Sequence, residues 1–293
     1  NKLFLSFQLK KEINLFSPDV IIYFPFASST FASFIRHFVL SNYKRSAKSI
    51  LLAMQPKPIK WWQKIFILLI KPKIVLTPSP LLQNMLNNLN IKNELLPLFT
   101  DLNKFKPIEN TNEKLILRKK YGINSNAFVI SHMGHLNEGR NLKSIIRLQK
   151  AGNQVVVVAS SSTPIDSRGP SSIREELEES GIIIIDRYIE NIQEIYQLSD
   201  CYVFPVIEPN SSIGLPLSIL EARACGVPVI TTDYGSVNKF LGDDFGGIFY
   251  SNPDSFLDKI SIIKEMDKKS FCKTGVGNLN SIFINNISNV IEG

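Results

Sequence analysis

Apolar and polar positions along this chain of 293 residues follow one grammar in two successive stretches. From residue 127 onward, "AFVISHM" (127–133), "QVVVVAS" (154–160), "GIIIID" (181–186), "DCYVFPV" (200–206), "VPVITTD" (227–233) and "GGIFY" (246–250) read as strands. They are continuously apolar rather than alternating, as strands covered on both faces should be. Helical spacing fills 141–151, 172–180, 191–198, 216–225 and 253–266. Strand and helix alternating at this spacing predict βαβ units and a doubly wound parallel sheet.

The earlier stretch has fewer units of the same kind. "DVIIYF" (19–24), "SILLAM" (49–54), "KIVLTP" (73–78) and "NELLPL" (93–98) read as strands, and 29–40, 59–70 and 79–89 as helices. "DLNKFKPIENTNEK" (101–114) is polar and irregular, which suits a linker. The expected organisation is an α/β domain over 1–107, a linker over 108–126, a second Rossmann-like domain over 127–270, and a helical segment over 271–293 that packs back across the linker. No internal repeat or low-complexity tract interrupts it.

Charge sharpens the division. Residues 1–107 hold 15 Lys and Arg against 4 Asp and Glu, whereas 108–293 hold 18 against 22, and the whole chain is at +7. A basic part joined to a mildly acidic one points to two surfaces with different partners. Cys201, Cys225 and Cys272 are few and lack metal-ligand spacing, as in a reduced, cytoplasmic protein. No run of 18 apolar residues is present to span a bilayer. The opening "NKLFLSFQLK" has neither an initiator Met nor the pattern of a signal peptide, so an upstream piece is expected to be missing.

Within the basic part, "PKPIKWWQKIFILLIKPK" (56–73) stands out. On a continuous helix Lys57, Lys60, Lys64 and Lys71 would share roughly 60° of arc. Two readings stay open. A basic stripe beside tryptophans is how an interfacial helix holds anionic headgroups; alternatively the apolar residues pack on the sheet and the lysines simply face water. Nucleic acid is not expected, because the basic residues are not interleaved with a recognised binding module.

Candidate chemistry lies at two strand ends, since ligands of open α/β sheets sit beyond the carboxyl ends of strands. In "SHMGHLNEGRNLKSI" (131–145) a strand runs into Gly134, a turn, Arg140 and a helix. Backbone N–H groups at a helix start beside a guanidinium suit a diphosphate; the plainer reading is an Arg140 that caps a surface turn. The glycine spacing imitates a P-loop, but Arg140 and Asn141 stand where Lys and Ser/Thr are needed, which argues against an NTPase. No GxGxxG follows a strand, so nicotinamide and flavin cofactors have no support.

The second end is "SSIGLPLSILEARACGVPVITTDYG" (211–235). Pro216 suits a first helical position, and Gly226 with Pro228 ends the helix. Glu221 shares a helix face with Leu217, Leu220 and Ala224, the side that should be buried. A carboxylate removed from water needs donors. Either vicinal hydroxyls such as those of a ribose supply them, or Glu221 leans out or pairs with Arg223 or a nearby lysine.

"YQLSDCYVFPVIEPNSSIGLPLSILEARACGVPVITTDYG" (196–235) resembles the nucleotide-sugar-binding signature of glycosyltransferase family 4, enzymes of the GT-B fold. "GHLNEGRNLKSI" (134–145) resembles that family's phosphate-binding turn, and 74–107 the stretch leading into its interdomain linker. The resemblance implies two Rossmann-like doubly wound parallel-sheet domains facing a cleft, the first apparently truncated. It implies transfer of a sugar, with retention and without a metal or other cofactor, from a nucleotide diphosphate sugar to a glycan, a lipid-linked acceptor or a polysaccharide precursor. Glu221 would bind the donor ribose, Arg140 with Gly134 and His135 the diphosphate, and Gly214, Leu215, Pro216 and Leu217 would lie beside the sugar. The expected setting is cytoplasmic, peripheral on the inner membrane face.

Three departures accompany the resemblance. The family's second acid, eight residues before the ribose glutamate, is here Ile213, leaving Glu208 on the same loop as the catalytic candidate. His135 stands where an Arg beside the first glycine is common; it could donate a hydrogen bond or be an ordinary loop histidine. The family's first strand with its glycine-rich loop has no counterpart before Asp19, and Gln55 is all that "LLAMQPKP" offers where a histidine often follows an early strand. Two other readings therefore stand beside a transferase: a non-catalytic nucleotide-sugar-binding relative, and an epimerase or hydrolase of nucleotide sugars.

Overall fold

The computed structural model describes residues 6–26, 28–108, 110–159, 171–242, 246–267, 271 and 275–292. By contacts the chain forms two compact units. One comprises Asn1–Leu98, Ile213–Leu215 and Ser281–Gly293, the other Phe99–Ser212 and Pro216–Asn280.

The first unit runs α1 (Phe7–Phe16), β1 (Val20–Tyr23), α2 (Phe31–Tyr43), β2 (Lys48–Leu52), α3 (Trp61–Leu69), β3 (Val75–Thr77), α4 (Pro80–Asn88) and β4 (Asn93–Leu95). Local chemistry starts the helices: the Thr30 hydroxyl accepts from Ser33 N–H, and Ser79 accepts from Leu82 N–H with Pro80 in the first turn. The four strands are parallel in the order β1-β2-β3-β4. Right-handed crossovers stepping in one direction put their helices on one face. There Phe34, Ile67, Leu82 and Leu86 pack on Leu51 and Val75. The opposite face, with Ile50, Ile74, Leu76 and Leu96, is covered by Phe283, Ile287 and Val290 of the C-terminal helix.

The second unit contains α5 (Thr111–Lys120), β5 (Val129–Gly134), α6 (Ile146–Lys150), β6 (Gln154–Ala159), α7 (Ser171–Glu179), β7 (Ile183–Ile185), α8 (Gln193–Leu198), β8 (Cys201–Phe204), α9 (Leu217–Ala224), β9 (Val229–Thr231), α10 (Val237–Phe240), β10 (Ile248–Tyr250) and α11 (Phe256–Glu265). The last helix, α12 (Val276–Glu292), begins in this unit and ends in the first. The strand order is β10-β9-β8-β5-β6-β7, every pairing parallel. Its direction of growth reverses between β5 and β8. Val155, Val157, Ile130 and Val203 meet the helices of one face through Leu148, Leu177 and Ile260.

Every strand expected from the sequence is present, as expected for continuous apolar runs. Three expectations need correction. The stretch read as linker (108–126) contains α5, whose buried group is a guanidinium rather than an apolar side chain. Arg118 donates to Asp200 Oδ2 at 2.5 Å and to the carbonyls of Leu198, Ser125 and Ala127. Burial acts to raise the Asp200 pKa, but Lys114, Val129 N–H and Arg118 outweigh it and hold the carboxyl below its usual range. The helix expected over 141–151 is instead a 3₁₀ turn over Leu142–Ile145 leading into α6. Asn141, at φ 54°, sits between this turn and another over Glu138–Arg140, and a left-handed residue cannot continue an α-helix. Pro216 caps α9 from an extended conformation rather than opening its first turn. The short α1 carries no buried residue and was not anticipated.

Candidate functional site

β5 and β8 are neighbours in a sheet that reverses between them, and the carboxyl ends of strands at such a reversal are where open α/β sheets bind ligands. The segment after β5 supplies Gly134, His135 and Arg140; the one after β8 supplies Glu208, Ser211 and Ser212 and leads to α9 with Glu221. The two are fastened together. Asn141 Nδ2 donates to the Pro205 carbonyl at 3.1 Å, and a Cβ on Gly139 would fall 2.1 Å from Ser211 Oγ. The far side of the second loop is held as well: the Thr232 hydroxyl donates to Val206 O, and the Tyr234 hydroxyl both accepts from Ser212 N–H (2.8 Å) and donates to Ser212 O (2.7 Å).

Arg140 is buried to 8% exposure at the end of its 3₁₀ turn, with its guanidinium carbon 5.9 Å from the centre of the Phe204 ring. Gly134 gives it room, since a Cβ there would stand 3.0 Å from Arg140 Nη1 and 3.3 Å from His132 Nε2. His132 is completely buried on β5, 2.9 Å from the Val203 carbonyl through Nδ1, which fixes the proton on that nitrogen. Burial above all, with the Arg140 charge adding to it against the Val203 hydrogen bond, pulls its pKa down to about 4. A neutral imidazole therefore lies beside the cation.

Glu221 is half-buried near the middle of α9. It neither leans fully out nor pairs with Arg223, whose wholly buried guanidinium donates to the carbonyls of Val227, Gly246 and Phe271. Instead the Tyr196 hydroxyl donates to Glu221 Oε2 at 2.6 Å. Burial raises the carboxyl pKa above its ordinary value, with Tyr196 and the charge of Lys104 opposing the rise. Burial also drives the Tyr196 phenol well above its usual value, so it stays a donor at every physiological pH. Burial pushes the Tyr202 phenol up to about 12. Tyr202 and Phe204, two apart on β8, share one face. The Tyr196 ring that holds Glu221 meets Tyr202 at 5.8 Å and Arg140 lies over Phe204, so both groups are on that side of the sheet.

The other expected residues are distributed as follows. His135 is half-buried directly after Gly134, and Glu208 is exposed on a bend. Pro216 is buried and Leu217 is 40% exposed, so Leu217 does not join Leu220 and Ala224 in the core. Gly214 and Leu215 group with the first unit, where a Cβ on Gly214 would come 2.6 Å from the Pro78 carbonyl oxygen. Only glycine passes there. Tyr196, Tyr202 and His132 were missed from the sequence: each is an apolar-looking member of a buried run, and only the fold shows which polar atom it meets. Cys201 and Cys225 are free and buried, while Cys272 lies outside the described residues. Among the described residues no helix is long and apolar enough to cross a membrane.

Residues 129–265 match the family model described as glycosyl transferases group 1. The UDP-Gal:alpha-D-GlcNAc-diphosphoundecaprenol alpha-1,3-galactosyltransferase of Escherichia coli is 24% identical over 188 residues, covering 61% of this chain and 46% of that protein. The chain thus spans about half the length of this curated relative. A glycosyltransferase from Rickettsia africae superimposes with a TM-score of 0.72 at 19% identity, over 97% of this chain and 76% of the other. Anabaena HepE, solved with UDP and glucose, gives 0.73 at 14% identity over 98% and 81%. The α/β fold with two parallel sheets is that of GT-B glycosyltransferase structures, as the sequence resemblance implied.

Proposed function

We propose, from the premise that residues 129–265 form a glycosyl transferases group 1 domain, that the protein moves a sugar from a nucleotide diphosphate donor to an acceptor. The observation that carries this reading is the run of side chains on one face of the reversed sheet from Glu221, through Tyr196, Tyr202 and Phe204, to Arg140. Tyr196 occupies one carboxylate oxygen of Glu221, and the other would accept from the vicinal hydroxyls of a ribose. Arg140, with backbone N–H groups of the turn after Gly134, would take the diphosphate. As the bond from sugar to diphosphate breaks, charge builds on the leaving phosphate, and the fixed guanidinium would meet it without a metal. The resemblance adds retention at the sugar carbon. Anabaena HepE, solved with UDP and glucose, supports a nucleotide-sugar donor, and the name of the Escherichia coli relative supports a lipid-linked acceptor. Buried free thiols at Cys201 and Cys225 suit a cytoplasmic setting.

Titration with UDP-, GDP-, TDP- and ADP-sugars tests the reading. One donor should bind, and Glu221→Ala should weaken it by about 1–3 kcal/mol, the loss of hydrogen bonds to a charged group. Affinity unchanged in that variant for every binding donor would overturn it. A second reading, donor binding without transfer, is favoured by Ile213 at the position of the family's second acid. Product formation by the parent and its loss in Glu208→Ala, with donor affinity retained, would support transfer with Glu208 as the acting acid.

A further inference from the structure

Helix α3 reverses the usual disposition of a surface helix. Of Trp61–Leu69 only Ile67 is buried, and Phe31 of α2 anchors the helix through ring contacts to Trp62 at 5.6 Å and to Phe66 at 6.4 Å. At 3.6 residues per turn, Ile65 and Leu69 each stand about 160° from Ile67, flanking the pole that points away from the core. They are 53% and 76% exposed, and Trp61 beside them is 74% exposed. The face turned outward is therefore apolar. Of the two sequence readings, the one that buries the apolar residues and turns only the lysines to water is corrected.

Lys60 is exposed at the start of the helix and Lys64 on its side, about 60° from Ile67, with Lys71 and Lys73 exposed just past its end. Lys57 and Lys71 lie outside the helix, so the single basic stripe drawn from spacing becomes basic groups at both ends and along one side of an apolar surface. The chain from Val20 through Asn93 contains ten Lys and Arg and no Asp or Glu. The loop after β1 adds to the same region. The backbone N–H of Lys57 donates to Ser29 Oγ at 3.1 Å, which holds the loop of Phe24 (57% exposed) and Phe26 (97% exposed) beside the approach to α3.

We infer that this face of the first unit docks on an anionic lipid bilayer. Tryptophan and branched aliphatic side chains enter the headgroup boundary, and the lysines meet lipid phosphates beside them. Charge selects this occupant. A second copy would set one acid-free basic surface against another, whereas an anionic membrane complements both the basic groups and the apolar ones. The inference is independent of the donor site, because attachment is read without nucleotide or acceptor.

Trp61 and Trp62 are the only tryptophans, so the intrinsic fluorescence of the chain reports from α3 alone. Vesicles of equimolar phosphatidylglycerol and phosphatidylcholine should shift the emission to the blue and sediment the protein, and raised salt should reverse both. Phosphatidylcholine vesicles should bind far less. The double substitution Ile65→Ser with Leu69→Ser keeps both tryptophans and should weaken binding roughly tenfold or more. Lys60→Gln and Lys64→Gln should each cost roughly fivefold, as expected for about 1 kcal/mol per surface lysine. Circular dichroism confirms that each variant is folded, and the lysine variants decide if the serine variant is not. No blue shift with phosphatidylglycerol vesicles overturns the inference. So does binding insensitive to both sets of substitutions, or a lipid-free shift that follows protein concentration and doubles the mass by light scattering.

Discussion

The two sheets are made of the same βα units and differ in order. In the first, β1 to β4 follow one another across the sheet; in the second, the sequence steps outward from β5 and then restarts on its other side with β8. The consequence is physical. Growth in one direction leaves one face of the first sheet without crossover helices, and α12 must return from the chain's end to cover it. Reversal gives the second sheet helices on both faces and brings two loops together at its centre. The candidate donor residues Gly134, Arg140 and Glu221 belong to the reversed sheet. The first sheet instead carries the apolar, acid-free surface of α3. Identical parts thus yield the candidate donor site in one place and a covered platform in the other.

The sharpest way to break this contrast is to remove the borrowed cover. Phe283→Ala with Ile287→Ala should destabilise the first unit by about 4 kcal/mol, the joint loss of two half-buried side chains. Urea unfolding should then separate into two transitions, with the second unit's midpoint unchanged. A single, unshifted transition would show that the first sheet needs no cover.

Acid separates the units next. Each buries one neutral histidine: His37, on Ser49 Oγ at 2.9 Å, and His132, on the Val203 carbonyl. Burial lowers both from 6.5 to about 4. Between these values the unfolded chain takes protons that the folded chain refuses, so stability is whole above pH 6.5 and falls as pH drops toward 4. Each histidine accounts for about 3 kcal/mol of that loss. His37→Gln should remove the first unit's share and leave donor affinity unchanged; His132→Gln should remove the second unit's share. Melting temperatures between pH 7 and pH 4 measure both.

Strand positions were legible because both sheets are covered on both faces, and such strands are plain apolar runs. Strand order was not, because reversal is decided by tertiary packing that no local pattern encodes. The same limit explains α5, which packs through Arg118 rather than through an apolar stripe, and the 3₁₀ path around Asn141, which turns on one left-handed residue. Glu221 was legible as an anomaly, an acid on a burying face. Its partner Tyr196 was not, because an aromatic residue in a helix reads as core until the fold shows where its hydroxyl ends.

That partnership gives a mid-sized test of the candidate donor site. Tyr196→Phe removes the only phenol held on Glu221 Oε2, which should weaken donor binding by about 1.5 kcal/mol, roughly tenfold. It should also raise the Glu221 pKa further, since Tyr196 is the first of the two influences holding it down. The ionised carboxylate is the form that accepts ribose hydroxyls, so donor affinity in the parent should fall as pH drops through the raised pKa. In Tyr196→Phe the fall should begin at higher pH. Calorimetric titration across pH reads both effects, and coincident pH profiles would show that Tyr196 merely packs.

The smallest effect tests the seam between the two loops. At Gly139 an added Cβ would meet Ser211 Oγ at 2.1 Å and Ser211 Cβ at 3.0 Å. The hydroxyl can rotate away but the Cβ cannot, so Gly139→Ala should spread the loops by a few tenths of an ångström. Donor affinity should drop about threefold, near 0.6 kcal/mol, with little change in melting temperature. Ser211→Gly alone should be close to neutral, and combining it with Gly139→Ala should restore the parent affinity, because the clash needs both side chains. Additive losses would mean that the loops act separately. In that case the reversal of the sheet brings them near one another without making them one site, and its advantage over the first sheet reduces to proximity.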